Sequence, residues 1–215
     1  MDTVVDNDDE RTTMKIAVYG ASGMVGSRIV AEAVSRAHEV TGVTRSSSEL
    51  PGGVRAVQAN ADDVASAKEL AAESDALVAA IGPSRTGGDH QEYLDAVDNL
   101  IAAVRGTATR LIVVGGAGSL VVNGNRVVDG PDFPAEYKNE SLTVSRALEN
   151  LRASDVNWTM LCPARVIAPG ERTGVFRLSL DEPIGDHISA EDYAVALINE
   201  LETPDHNKQR FTLGY

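Results

Sequence analysis

Along most of this chain, short apolar runs alternate with segments whose apolar residues recur at helical spacing. Residues 15–19 read as a short buried strand, and 24–34 as a helix with one apolar face. Strands follow at 39–44 and 54–58, then a helix at 62–73 opened by Asp62 and Asp63, acids being favourable at the positive end of a helix. Next come a strand at 76–81, a helix at 91–104 and a strand at 110–114. A polar, glycine-rich loop at 115–134 precedes a helix at 135–152 and a strand at 157–161. An irregular stretch at 162–188 holds Pro163, Pro169, Gly170, Gly174, Pro183 and Gly185. A helix at 190–201 and a strand at 209–213 complete the series. This alternation predicts an α/β fold, one doubly wound and mainly parallel sheet with helices on both faces. No repeat or linker interrupts it, so 14–215 reads as a single domain with a small C-terminal region on the substrate side.

The turn between the first strand and the first helix carries Gly20, Gly23 and Gly26. That context separates the motif from a chance G-x-x-G-x-x-G. Gly20 lets the strand turn sharply, Gly23 lets backbone approach a pyrophosphate, and Gly26 lets the helix pack close to the strand. Phosphates there would meet unpaired N–H groups and the positive end of the helix dipole. The motif points to a Rossmann-type dinucleotide site, the alternative being a glycine-rich turn with no ligand. Ligands of such sheets bind beyond the C-terminal ends of the strands. The stretches to inspect are therefore 20–26, 45–46, 62, 82–86, 115–119 and 162–170.

The end of the second strand bears on which nucleotide is bound. NAD-specific proteins of this type place an acid there to grip the ribose hydroxyls. Glu39 stands at the start of that strand, at the wrong edge of the sheet, and the end reads Thr44-Arg45-Ser46. Arg45 is a planar cation suited to a 2′-phosphate, with Ser46 and Ser47 as neutral donors beside it. Unless Arg45 is merely solvated, NADP(H) is preferred over NAD(H).

Composition narrows the remaining classes. At 215 residues and 43% hydrophobic content the chain suits a soluble domain with a substantial core. A net charge of −13 argues against nucleic acid as a partner. Residues 1–13 carry five acids against Arg11, a net of −4 that leaves −9 for the remainder. With little apolar content, 1–13 reads as a disordered acidic extension. No apolar run approaches the roughly 20 residues needed to cross a bilayer, and the first residues lack the apolar core of a secretory signal. Cys162 is the single cysteine, which excludes an internal disulfide and agrees with a reducing cytoplasm.

The glycine motif stands together with Thr44-Arg45, Asn60-Ala61-Asp62, Gly82-Pro83, the VVGGAGS of 113–119 and the ISAEDYA of 188–194. On these residues the chain resembles the atypical short-chain dehydrogenase/reductase group of NAD(P)H-binding proteins. The nearest resemblance is to its NADH-flavin reductase members, with flavin/biliverdin-IXβ reductases and NmrA-like proteins further off. It covers about residues 14–215 and is far more specific for the superfamily than for any substrate. It implies that Gly20, Ser22, Gly23, Met24 and Val25 line the pyrophosphate and that Arg45 holds the adenosine phosphate. Asp62 or its neighbours would contact adenine, although a helix cap is an equally natural role for that aspartate. Ile81, Gly82 and Pro83 would run beside the ribose and nicotinamide. Gly115, Gly116 and Ser119 would lie near the ring, and Cys162, Pro163 and Ala164 against its far side.

One part of the family pattern is missing. Core members use a Tyr-x-x-x-Lys pair to exchange a proton with an alcohol or ketone. Here Tyr137 has Ser141 four residues on, and Lys138 has Pro134 four residues before it. Adjacent residues on a helix point about 100° apart, so Tyr137 and Lys138 cannot form the stacked pair. Hydride addition to a ketone needs a positioned acid, whereas addition to a flavin or quinone leaves a delocalised anion. The pattern favours a small-molecule acceptor that is flavin-like, quinone-like or otherwise conjugated. The alternatives are a non-catalytic NAD(P) sensor of the NmrA-like kind and, less favoured, a nucleotide-sugar epimerase or dehydratase.

Other side chains carry weaker signals. Ser119 is the candidate catalytic residue, able to hydrogen-bond substrate or nicotinamide, and equally able to cap its loop. His90 either faces the site or lies on the surface at a helix start. His38, His187 and His206 show no metal-ligand spacing. Cys162, at the end of a buried strand, reads as a small core residue rather than a nucleophile.

Overall fold

The computed structural model describes residues 13–215, so the expected acidic extension lies, for residues 1–12, outside the described residues. In chain order the elements are β1 (Lys15–Tyr19), α1 (Met24–Ser35), β2 (Glu39–Thr44), β3 (Arg55–Gln58), α2 (Val64–Glu73) and β4 (Ala76–Ala79). There follow α3 (Gln91–Val104), β5 (Arg110–Val114), β6 (Val121–Val122), β7 (Asn125–Arg126), α4 (Ala135–Ala153) and β8 (Trp158–Cys162). The last are β9 (Val166–Ala168), β10 (Arg177–Ser179), β11 (His187–Ser189), α5 (Ala190–Glu202) and β12 (Gln209–Gly214).

Eight strands form one sheet in the order β3-β2-β1-β4-β5-β8-β12-β10. Its seven leading strands are parallel, and β10 closes the edge antiparallel to β12. Alternation along the strands feeds two cores. Ala17 and Tyr19 of β1 face one way with Leu77, Val113 and Met160, under α2, α3 and α4. Ile16 and Val18 face the other way with Val78, Ile112 and Phe211, under α1 and α5. The sheet is therefore doubly wound, with helices on both faces, as the strand–helix pattern predicts.

The structure revises several element ends. The fourth strand stops at Ala79 rather than residue 81, because after the Ala80 N–H donates to the Tyr19 carbonyl at 3.0 Å the chain crosses over Gly20. The sixth predicted strand continues through Cys162 as β8. The irregular stretches hold the β6–β7 hairpin, the parallel β9–β11 pair and the edge strand β10. Each is only two or three residues long, too short for a period to be seen.

Residues 170–174 form a strap across the α1–α5 side, held by carboxylates. The Gly170 amide donates to Glu191 at 2.7 Å, Arg172 forms a two-bond pair with Glu32, and the Thr173 and Gly174 amides donate to Asp192 at 2.8 and 2.7 Å. Asp192 is fully buried and also accepts from the hydroxyls of Thr173 and Tyr215. Burial pushes its carboxyl up, but these donors outweigh burial and hold it below the usual carboxylate range.

Candidate functional site

Strand order reverses between β1 and β4, and the crevice beyond their C-terminal ends is where an open α/β sheet binds its ligand. Gly20 turns the chain there with φ +76°, a left-handed conformation, and its amide donates to the Val43 carbonyl at 3.0 Å. A Cβ on Gly20 would lie 2.3 Å from the Ala80 carbonyl oxygen, and one on Gly26 would lie 2.0 Å from the Gly20 carbonyl oxygen. These two positions exclude any side chain. Gly23 is the residue before α1 and offers no side-chain cap, so the first-turn N–H groups at Met24, Val25 and Gly26 face outward without a side-chain acceptor. Ser22 and Met24 are exposed at this turn. The cradle fits a pyrophosphate by geometry and by dipole.

Arg45 follows β2 and is exposed, with no ion pair to its guanidinium among the described residues. The Thr44 hydroxyl donates to the Ser46 carbonyl at 2.8 Å, which shapes the start of that loop. The cap of α2 falls one residue later than Asp62: Asp63 accepts from the Ala65 and Ser66 amides, each at 3.1 Å. Asp62 is thus relieved of the capping role and exposed. Beneath lies Tyr19, whose hydroxyl has no partner among the described residues and is raised to about 12 by burial, then by the charge of Asp63.

At the other end of the crevice, Ile81, Gly82 and Pro83 leave β4 partly or fully exposed. Gly115 packs so closely on β8 that a Cβ there would lie 2.6 Å from the Cys162 sulfur. Ser119 is 2% exposed, and its hydroxyl donates to the Gly116 carbonyl at 2.9 Å. That bond holds the turn, and a role as donor to an acceptor would require breaking it. Cys162 is fully buried, Ala164 is 3% exposed, and Pro163 is buried as well. The expectation that all three lie against a ligand is corrected to this extent. Because β8 extends through Cys162, these side chains back the site from within the core. Burial pushes the Cys162 thiol up, which agrees with a core role. Tyr137 lies in the first turn of α4 and is half exposed, while Ser141 one turn on packs against Gly118.

Two arrangements near the crevice were missed by sequence reasoning. His90 is fixed on both ring nitrogens, by the Thr143 hydroxyl at 2.9 Å and the Ser84 carbonyl at 3.0 Å. It ties the loop after β4 to α4 and borders a cleft of about 700 Å³ with Gly87, Arg126 and Arg146, apart from the glycine turn. Arg210 of β12 is 4% exposed and donates to the Ser119 carbonyl and to Asp181, contacts spanning too much sequence for any local pattern to reveal. Among the described residues no group of three or more His, Cys, Asp or Glu side chains is placed to hold a metal, and no helix is long and apolar enough to cross a membrane.

Comparison with known proteins adds a lineage to this geometry. The model of a family described as NAD(P)H-binding matches residues 20–204. The Bacillus subtilis protein YwnB is 38% identical, over 93% of this chain and 98% of its own. A Burkholderia pseudomallei structure, provisionally described as an exported protein, is 38% identical with a TM-score of 0.84 over 94% of this chain and 100% of that one. A Streptococcus pneumoniae structure, provisionally named an NADH-flavin reductase, is 33% identical with a TM-score of 0.86 over 93% and 98%.

Proposed function

The chain belongs to the NAD(P)H-binding family, and from that premise we propose that it is an NADPH-dependent reductase acting on a flavin-like, quinone-like or other conjugated acceptor. The glycine turn at the strand-order reversal is the observation that carries the nucleotide part of this reading. Gly20, Gly23 and Gly26 bring uncapped backbone N–H groups to where a pyrophosphate would sit, with Ser22, Met24 and Val25 around it. Arg45, exposed and without a counter-ion at the end of β2, supports NADP(H) over NAD(H), since its planar donors match a 2′-phosphate. Asp62, free of the helix cap, would face the adenosine side.

Bound nicotinamide supplies the hydride in this chemistry. The chain's own residues position and exclude water. Ile81, Gly82 and Pro83 would flank the ring on one side, and Gly115 and Gly116 on the other. No positioned acid completes the set: Ser119 holds its turn, and Tyr137 has a serine where its lysine partner would stand. An acceptor whose reduced form is a delocalised anion suits such a site, because solvent can supply the proton. The provisional name of the Streptococcus relative points the same way.

The second reading, a non-catalytic NAD(P) sensor, draws on the same lack of a free proton donor. One titration series separates the two. The protein is titrated with NADPH and with NADH, then oxidation of the bound form by FMN and by a quinone series is followed. Tight NADPH binding without oxidation by any acceptor would sink the reductase reading. Arg45→Ala is expected to weaken NADPH about tenfold or more, the scale of a charged hydrogen bond, and to leave NADH unchanged. Equal loss for both nucleotides would remove the NADP preference.

A further inference from the structure

Arg210 is the second residue of β12, and its side chain is almost wholly buried. Its Nη1 donates to the Ser119 carbonyl and its Nη2 to the Asp181 carboxylate. The Nε–H finds no acceptor among the described residues, and neither does the hydroxyl of Thr212, two residues along the same face of the strand. Arg110 is a useful contrast. It too is buried, but it is matched to the Glu200 carbonyl, the Glu200 carboxylate and the Thr159 hydroxyl. Burying a guanidinium with an unmet donor destabilises, and an apolar side chain of similar length at position 210 would avoid that penalty. Stability alone therefore does not explain the arginine.

Its contacts do. The Asp181 that pairs with Arg210 also accepts, through its carbonyl, from the Val121 amide at 2.9 Å. One Arg–Asp pair thus grips the chain at 119 and again at 121. At the other end of the same turn, Gly115 is pressed onto Cys162 and Met160 of β8. The turn at 115–119 is clamped between β8 and β12, and Arg210 is the half of the clamp that depends on charge.

We propose that Arg210 is a positioning residue for the nicotinamide end of the site: by holding the Ser119 carbonyl it sets the height of the 115–119 turn against which the ring lies. This rests on the reading of Gly115 and Gly116 as the nicotinamide wall. The adenosine and pyrophosphate contacts are remote from this clamp, so losing it affects the ring and not the grip on the nucleotide.

The test uses Arg210→Met, Arg210→Lys and Asp181→Asn in the whole protein. Four quantities are read: thermal midpoint, NADPH dissociation constant, fluorescence anisotropy of the bound nicotinamide, and rate of oxidation by FMN. Arg210→Met is expected to fold with a midpoint close to wild type, to bind NADPH within about threefold, to lower the ring's anisotropy, and to slow oxidation on the order of tenfold or more. Arg210→Lys, which keeps the charge, is expected to recover part of the anisotropy and rate. Wild-type anisotropy and rate in folded Arg210→Met overturn the proposal. If that variant does not fold, Asp181→Asn decides, since this carboxylate is 58% exposed and dispensable for folding. Unchanged anisotropy in Asp181→Asn then overturns it. Lowered anisotropy in Arg210→Met, with no oxidation by any acceptor even in wild type, supports the positioning role while refuting the reductase reading. Failure of wild type to bind either nucleotide overturns both.

Discussion

A methyl group on Gly26 would meet the Gly20 carbonyl oxygen at 2.0 Å and its carbon at 2.8 Å, backbone against backbone with no flexible side chain to yield. Gly26→Ala is therefore expected to shift α1 off the turn, destabilise by about 1–3 kcal/mol or more, and abolish nucleotide binding. Thermal melts and an NADPH titration read both effects. Gly82 gives the converse case, because a Cβ there meets nothing within 4 Å. Gly82→Ala is expected to leave the melting temperature unchanged and to weaken NADPH if residues 81–83 flank the ribose and ring. An unchanged affinity would move the cofactor away from that loop. The glycine requirements were legible in sequence because they are local, set by residues within a single turn. Ser119 was not, since the hydroxyl's burial depends on β8 and β12, and the Arg210 that holds its carbonyl lies 91 positions away. The cap of α2 fell one residue late, on Asp63, a choice between adjacent acids that composition cannot make.

The strap at 170–174 is fastened to α1 and α5 by Glu32, Glu191 and Asp192, each held below the usual carboxylate range. The donors differ: Arg172 at Glu32, the Gly170 amide and Arg28 at Glu191, and the hydroxyls and amides already described at Asp192. A carboxyl lowered in the folded state contributes stability above its unfolded pKa of about 4, and that contribution is lost as pH falls through the lower folded value. The urea midpoint, followed through the buried Trp158, is accordingly expected to hold near neutral pH and to fall steadily below about pH 4. Asp192→Asn keeps the shape but cannot accept from every donor. It is expected to lower the neutral-pH midpoint and to flatten the acid limb, and an acid limb as steep as wild type would relieve Asp192 of this role. None of this was visible in a stretch that reads as proline- and glycine-rich coil. The long helices and buried parallel strands were legible because many residues repeat one period. The strands β6, β7, β9, β10 and β11 were not, because pairing partners rather than local pattern create them.

Strands from both halves of the described chain interleave in one sheet, so thermal unfolding is expected as a single transition that nucleotide shifts as a whole. NADPH at about 100 times its dissociation constant adds about 2.7 kcal/mol, and for a protein of this size that raises the midpoint by about 5–10 °C. NADH at the same concentration is expected to raise it less, in proportion to the Arg45 contact. The sheet's order also carries a consequence in time. Residues 15–114 supply β3, β2, β1, β4 and β5, five adjacent strands that can pair as soon as they leave the ribosome. The glycine turn is complete within that half. The turn at 115–119 is not, for its clamp arrives with β12, the last strand made. The end of the crevice that grips phosphate can form early, while the end that would orient the ring waits for the chain to be finished.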